Sequence, residues 1–245
     1  MKKFIALSPS SKKVLNIAQM STTLPVNIII LGETGVGRKL LANTISPDTQ
    51  SFDAKELEKL IIEKKIDLKQ FNTIIIYNIN KVLNKDEFLE NLQNIKIIAT
   101  GFKEDNEYIN NFAVKIEIPS LDQRKEDLEE LIKIYVKEAN EIYKTSKTIH
   151  DIQIDLSGNG ITLKQSIYKS ILLQSINRHD MINILYNFFI QELKNERSYK
   201  TLLEIFEVPL LNAAKSVYKS QLKISQKLKI NRITLRKKLT KYFGE

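Results

Sequence analysis

The segment from Val26 to Gly37, which reads VNIIILGETGVG, decides the fold class. Residues 26–31 form an apolar run rich in β-branched side chains, which predicts a buried strand. A loop with three glycines follows, and after it apolar residues recur with helical spacing at Leu40, Leu41 and Ile45. Strand, glycine loop and helix in this order predict the first half of a β-α-β unit.

The same alternation of strands and helices continues downstream. Apolar runs predict strands at residues 73–77, 95–99 and 114–118, and helical patterns lie between them at residues 54–65 and 85–92. This alternation predicts an α/β fold in which a parallel sheet carries helices on both faces. Because residues 114–118 alternate apolar and charged side chains, we expect this strand at an edge of the sheet.

After Pro119 the sequence predicts helices. A long helix is expected over residues 122–143, and two more over residues 163–173 and 179–193. The apolar stripe of the long helix consists of Leu128, Leu131, Ile132, Tyr135, Val136 and Ala139. The predicted domains are an α/β core at residues 1–120, a helical subdomain at 121–197 and an all-helical C-terminal domain at 198–245.

The net charge of the chain is concentrated at its C-terminal end. Of the 38 basic and 29 acidic residues, ten basic residues and one acid lie in residues 215–245, which leaves 28 of each sign in residues 1–214. The segment therefore carries the whole net charge of +9. A neutral body with a strongly basic end indicates binding to nucleic acid or to another anionic surface.

The composition argues against several other classes of protein. The chain has no cysteine, which excludes disulfides and thiol chemistry, and its two histidines lack metal-ligand spacing, so we expect no metal site. No apolar run approaches the ~20 residues that span a bilayer. We therefore expect a cytoplasmic protein that does not enter a membrane.

The basic end has the pattern of a helix-turn-helix. Helices are predicted over residues 199–217, 221–228 and 232–242, and the connection between the last two is short. Asn231 is expected to cap the last helix by accepting a hydrogen bond from the backbone N–H of Thr234. Leu235 and Leu239 form an apolar stripe, which we expect to pack on Ile224, Leu228 and Ile230.

The opposite face of the last helix predicts contacts to double-stranded DNA. Arg232 and Thr234 suit base edges in the major groove, because arginine binds guanine and threonine contacts a thymine methyl group or a phosphate. The lysines suit phosphates. The predicted DNA-binding residues are Asn231, Arg232, Thr234, Arg236, Lys237, Lys238 and Lys241. The alternative is a basic amphipathic helix on a membrane surface, which usually has a wider apolar face.

Residues 230–239, INRITLRKKL, resemble the end of a Fis-type helix-turn-helix. The family usually has glycine where this chain has Lys229, and lysine costs about 1 kcal/mol there if the backbone is left-handed. Residues 8–193 resemble the AAA+ ATPase domain of NtrC-like activators of sigma-54 RNA polymerase. The matching motifs are the glycine loop at 32–37, the sensor-1 strand at 97–100 and the sequence IPSLDQRKEDL at 118–128.

The resemblance implies an AAA+-like fold but also exposes departures from an ATPase. Arg38 stands where the family has the phosphate-binding lysine, with Lys39 next to it, and Tyr77 and Asn78 stand at its Asp-Glu pair. The vestigial nucleotide-binding residues would be Gly32, Gly35, Gly37, Arg38 and Lys39. The arginine-finger positions fall on Asp105 and Asn111, and the sensor-2 arginine falls near His179. We therefore expect no catalytic residue and no cofactor; binding of ATP or ADP is the alternative.

The loop that contacts sigma-54 in this family, GAFTGA, is also absent, and residues 39–72 are too few for the family's inserted loops. We therefore expect a bacterial, nucleoid-associated transcription regulator that does not itself activate sigma-54 polymerase. It would bind DNA as a homodimer through its C-terminal domain. The alternatives are a divergent ATP-dependent activator, and a protein that modulates a true AAA+ activator by binding to it.

Overall fold

The computed structural model describes residues 3–102, 109–148 and 153–244. The chain divides into two compact units, Met1–Ser175 and Ile176–Glu245. The first contains an α/β core and a helical subdomain, and the second contains one further helix and the helices of the basic end. The domain prediction groups residues 178–194 with the helical subdomain, whereas these residues belong to the second compact unit.

Within the described residues, the core contains a five-stranded parallel sheet with the strand order β2-β3-β4-β1-β5. Its strands are β1 (Ile28–Leu31), β2 (Ser51–Asp53), β3 (Thr73–Tyr77), β4 (Lys96–Gly101) and β5 (Val114–Glu117). The α/β class and the edge position of β5 are thereby confirmed. The sequence did not predict β2, because three residues are too few to show an alternating pattern.

Helices cover both faces of the sheet: α1 (Pro9–Thr22), α2 (Arg38–Ile45), α3 (Ala54–Ile62) and α4 (Lys85–Glu90). Successive side chains of a strand point to opposite faces. Ile28 and Ile30 of β1 therefore pack with α1 and α2, while Ile29 and Leu31 pack with α3 and α4. Helix α1 was not predicted, because serines share its buried side with Val14 and Ala18 and weaken the apolar period.

The helical subdomain consists of α5 (Lys125–Tyr143) and α6 (Gly160–Ser175). Ala139 of α5 is fully buried, as are Leu163, Ile167 and Ile171 of α6. The other members of the predicted stripe pack against this cluster, namely Leu128, Leu131, Ile132, Tyr135 and Val136. The inner face of α5 is therefore the one that the sequence predicts.

A buried ion pair joins three segments of the first unit. The side chains of Arg124 and Asp127 are 3% and 0% exposed and lie 3.4 Å apart. The Asp127 carboxylate also accepts hydrogen bonds from the backbone N–H groups of Leu7 and Ser8, at 2.6 and 2.8 Å. Arg124 Nη2 donates to the carbonyl oxygen of Val36 at 2.9 Å. Burial lowers the pKa of Arg124, and the charge of Asp127 acts in the opposite direction.

The second unit contains α7 (Arg178–Lys194), α8 (Tyr199–Tyr218), α9 (Gln221–Leu228) and α10 (Arg232–Phe243). Helix α7 begins with a capping box, in which Asn177 and Asp180 each bond the other's backbone N–H. None of the side chains of α7 is buried. In the described parts of the chain, no helix is both long enough and apolar enough to cross a membrane.

The glycine loop packs directly against the turn that precedes α6. Gly35 has a left-handed backbone, with φ of 83°, and its carbonyl oxygen accepts a hydrogen bond from the N–H of Gly160 at 3.1 Å. The Asn159 amide donates to the carbonyl of Thr34 at 3.1 Å. A Cβ atom at Gly35 would lie 2.2 Å from the carbonyl oxygen of Gly158. The contact therefore requires glycine for its backbone angle and for its size.

We predict that Gly35→Ala lowers the free energy of unfolding of the first unit by about 2–3 kcal/mol. The alanine would be strained in the left-handed backbone conformation, and its Cβ atom would clash with the backbone at Gly158. Urea denaturation followed by circular dichroism measures this loss. Gly101→Ala is the matched control, since a Cβ atom there would make an ordinary contact of 3.4 Å with Ile79. Equal losses for the two variants would contradict the packing described here.

Candidate nucleic-acid interface and glycine-loop cleft

The candidate nucleic-acid interface is built on α10. Leu235 and Leu239 are each 1% exposed and pack with the buried side chain of Ile224 and with the partly buried Leu228 and Ile230. This is the apolar packing that the sequence predicts. It fixes the side of α10 that faces the protein and leaves the opposite side exposed.

The turn between α9 and α10 carries a strained lysine and a capping asparagine. Lys229 has φ of 53° and ψ of 40°, so the left-handed backbone that glycine usually supplies is present with a lysine side chain. Asn231 caps α10, but its Oδ1 accepts from the N–H of Ile233 at 2.8 Å and not from Thr234. The predicted cap is correct and its predicted partner is wrong. Asparagine commonly bonds the backbone two residues on, in an Asx turn.

The predicted DNA-binding residues of α10 fall into two groups. Arg232, Thr234, Arg236 and Lys237 are exposed, as is the capping residue Asn231. The other group makes ion pairs within the unit: Lys238 with Glu207, and Lys241 with Glu204 at 2.8 Å. A phosphate would have to compete with these carboxylates of α8. Fewer cationic side chains on the outer side of α10 are therefore available to bind DNA than its sequence suggests.

Two exposed residues of this side were not predicted. Ile233 is 67% exposed, and Thr240 is also exposed. Both share a shallow surface groove with Arg236 and Lys237. Their position could have been found by counting around the helix from Leu235, but a search for basic and polar DNA-binding types passes over an isoleucine.

The glycine loop lies at the carboxyl end of β1 and leads into α2. Gly32, Gly35 and Gly37 have φ values of 149°, 83° and 106°, which L side chains rarely adopt. The three glycines are thus required by the backbone itself. Gly37 caps α2 without a side-chain hydrogen bond.

Arg38, at the position of the family's phosphate-binding lysine, is used inside the protein. Its side chain donates from Nη1 to the carbonyl oxygen of Gly101, and its guanidinium carbon lies 4.1 Å from the centre of the Phe102 ring. The residue is 9% exposed, and burial lowers its pKa. Arg38 therefore ties the start of α2 to the end of β4.

Tyr77 and Asn78 lie at the carboxyl end of β3, where the family has its Asp-Glu pair. Lys39 Nζ lies 4.6 Å from the centre of the Tyr77 ring. The backbone N–H of Asn78 donates to Thr100 Oγ1 at 3.0 Å, and its side-chain amide donates to Asp53 Oδ2 at 2.8 Å. Neither Tyr77 nor Asn78 supplies a carboxylate, so this pair does not fit the magnesium ion and the base that hydrolysis of a nucleotide requires.

A cleft of about 860 Å³ adjoins the glycine loop on the side of the helical subdomain. Of the predicted nucleotide-binding residues, Gly35, Gly37, Arg38 and Lys39 line this cleft, and Gly32 lines a neighbouring cavity of about 550 Å³. The opposite wall contains Tyr135, Tyr143, Lys164, Tyr168 and Lys169. Lys164 is paired with Glu138 at 3.2 Å. The cleft is therefore aromatic and weakly basic.

The resemblance also implies arginine-finger and sensor-2 positions. Asp105 is outside the described residues, and Asn111 is in the turn before β5. Arg178 and His179, near the expected sensor-2 position, are exposed at the start of α7 in the second unit. The cleft is lined by the start of α2 and by residues of α5 and α6.

Comparison with known proteins identifies the fold. No family model matches the chain. Limonene hydroxylase of Geobacillus stearothermophilus is 22% identical over 311 aligned positions, and the match includes 97% of this chain and 56% of that protein's length. Crystal structures of Brucella abortus NtrX with ATP and with ADP each superpose with a TM-score of 0.58, at 15% and 14% identity.

The NtrX matches include 99% and 98% of this chain, and 70% and 69% of the NtrX chain. This likeness, together with the parallel sheet and its covering helices, shows an AAA+-like α/β fold followed by a helical C-terminal region.

We predict a pH-dependent contribution of Glu207 to the stability of the second unit. The hydrogen bond from Lys238 lowers the pKa of the Glu207 carboxyl below its ordinary value. A lowered pKa stabilises the fold above the ordinary glutamate pKa of about 4.3, and this stabilisation is lost as the pH falls through the lowered value. Glu207→Gln should therefore lower the unfolding midpoint at pH 7 and leave it unchanged in strong acid.

Glu204→Gln is the matched control for this measurement. The pair of Glu204 with Lys241 is exposed on both sides, at 42% and 52%, so the variant should lose much less stability. A loss for Glu207→Gln that is the same at pH 7 and at strongly acidic pH would show that packing, not charge, accounts for it.

Proposed function

We propose that this chain is a sequence-specific DNA-binding transcription regulator, in which α10 contacts double-stranded DNA and the AAA+-like body does not hydrolyse ATP. The observation that carries the proposal is the exposed side of α10, with Arg232, Arg236 and Lys237, within the segment that holds the whole net charge of +9. The short turn before α10 and the apolar packing beneath it support a helix-turn-helix.

In this proposal α10 lies in the major groove. Arg232 and Arg236 are near its N-terminal end and reach base edges, while Lys237 binds a phosphate. Asn231 holds the first turn of the helix in place through its cap. Because phosphate contacts release counterions, binding weakens steeply with salt.

Exposed apolar side chains on the second unit support a homodimer. Phe206, Leu210 and Val217 of α8 recur with helical spacing and are 59%, 38% and 68% exposed. The buried residues of α8 are instead Leu211 and Ala214. A second copy packed on this side would bury the exposed stripe, and two-fold pairing would place two copies of α10 about one turn of DNA apart.

The body is proposed as a scaffold without ATPase activity. The guanidinium of Arg38 bonds Gly101 and stacks on Phe102, and the Tyr77–Asn78 pair offers no carboxylate for Mg²⁺. The absence of the sigma-54 contact sequence from the chain supports a regulator that does not activate sigma-54 polymerase itself. The cleft beside the loop leaves room for a role in ligand or partner contact.

We predict that Lys237→Ala weakens DNA binding and reduces the slope of log affinity against log salt by about one, as expected for one lost phosphate contact. Arg236→Ala should weaken binding about fivefold or more, because a base contact by arginine contributes ~1–3 kcal/mol. Fluorescence anisotropy with labelled DNA at several salt concentrations measures both effects.

Lys241→Ala is the matched control, since its ammonium group is already paired with Glu204. It should change the affinity and the salt slope less than Lys237→Ala does. The proposal fails if the unmodified protein binds no DNA at low salt, or if Lys237→Ala and Arg236→Ala leave the affinity unchanged.

The rival function, a divergent ATPase, rests on the glycine loop and on Arg38 or Lys39 as the phosphate ligand. We predict that phosphate release from Mg²⁺-ATP by the full chain equals the background rate, and that Arg38→Ala and Lys39→Ala do not change it. Turnover above background that Lys39→Ala abolishes would support the ATPase instead.

A further inference from the structure

The exposed side of α10 contains an apolar residue among its cations. Ile233 is 67% exposed and lies in the first turn of the helix. It is two residues before the buried Leu235, and each residue advances about 100° around a helix, so the two side chains point in nearly opposite directions. Ile233 lines a shallow surface groove with Arg236, Lys237, Thr240 and Lys241, and Thr234 is not among the residues that line it.

Ile233 is better placed for base contact than Thr234. Positions four and seven residues on share the side of a helix with the starting residue. For Ile233 these are Lys237 and Thr240, which lie on the exposed side. For Thr234 they are the partly buried Lys238, which pairs with Glu207, and the exposed Lys241, which pairs with Glu204. The thymine contact that the sequence assigned to Thr234 is therefore better assigned to Ile233.

The chemistry of Ile233 selects one group of the DNA. In the major groove the base edges present hydrogen-bond donors and acceptors, and thymine adds a protruding apolar group, its C5-methyl. An isoleucine makes no hydrogen bond, so it is complementary to that methyl group. Its β-branch also restricts it to essentially one rotamer in a helix, so little conformational freedom is lost on contact.

We propose that Ile233 reads the 5-methyl group of one thymine in each half-site when α10 binds DNA. This rests on the proposed function, and it names a specificity-determining residue that charge does not indicate. Arg232 and Arg236 lie on either side of this contact in the sequence of α10. Lys237 positions the Ile233 side chain by binding the neighbouring phosphate.

The test removes one methyl group from the DNA. The bound sequence is first selected from a random library with the full chain, and each thymine of a half-site is then replaced by deoxyuridine. The wild-type protein should lose about fourfold in affinity at one thymine per half-site, which corresponds to ~0.8 kcal/mol for one buried methyl group. Ile233→Ala should bind the thymine and deoxyuridine sites equally, and Ile233→Val should keep part of the difference.

Ile62→Ala is the matched control, because Ile62 on α3 is 69% exposed and lies outside the proposed interface. It should keep the wild-type response to deoxyuridine. If DNA is bound but no thymine responds, or if Ile233→Ala keeps the full response, the thymine contact is overturned and the proposed function stands. If selection yields no bound DNA, the proposed function itself is overturned.

Discussion

The first unit depends on the buried pair of Arg124 and Asp127. The carboxylate is fully buried, and it fixes the chain before α1 through the N–H groups of Leu7 and Ser8. The guanidinium fixes the glycine loop through the carbonyl of Val36. Both residues lie at the start of α5, so one pair connects the N-terminal segment, the loop and the helical subdomain. Removing one partner of such a pair leaves a buried charge without compensation, which typically costs about 3–5 kcal/mol.

This arrangement explains the glycine loop without reference to a nucleotide. All three glycines have left-handed backbones, and Gly35 lies against the turn at Gly158 with no room for a side chain. Arg38 then joins the beginning of α2 to the end of β4. The packing of the loop between β1, α2 and the helical subdomain is therefore enough to explain its glycine-rich sequence.

The parts of the fold that could be predicted are those with long apolar periods. The run after Val26 and the stripe of α5 each contain enough repeats to fix a strand or a helix, and both were confirmed. Helix α1 and strand β2 were not predicted, because α1 buries serines on its inner side and β2 has only three residues. The order of the strands in the sheet depends on contacts between segments that are distant in sequence. A local apolar period gives no information about such contacts.

The candidate interface shows the same limit at the level of single residues. Counting around α10 correctly separates Leu235 and Leu239 from the basic side, because that depends on neighbours within the helix. The pairing of Lys238 and Lys241 depends on Glu207 and Glu204, which lie 31 and 37 residues upstream, and no local pattern indicates it. These pairs hold α10 to α8 while they reduce the charge available on one flank. The remaining exposed surface of α10 is centred on Ile233 and Lys237. In the proposed complex, Ile233 would supply specificity for the DNA sequence although a search for charged residues omits it, and the cations around it would supply affinity.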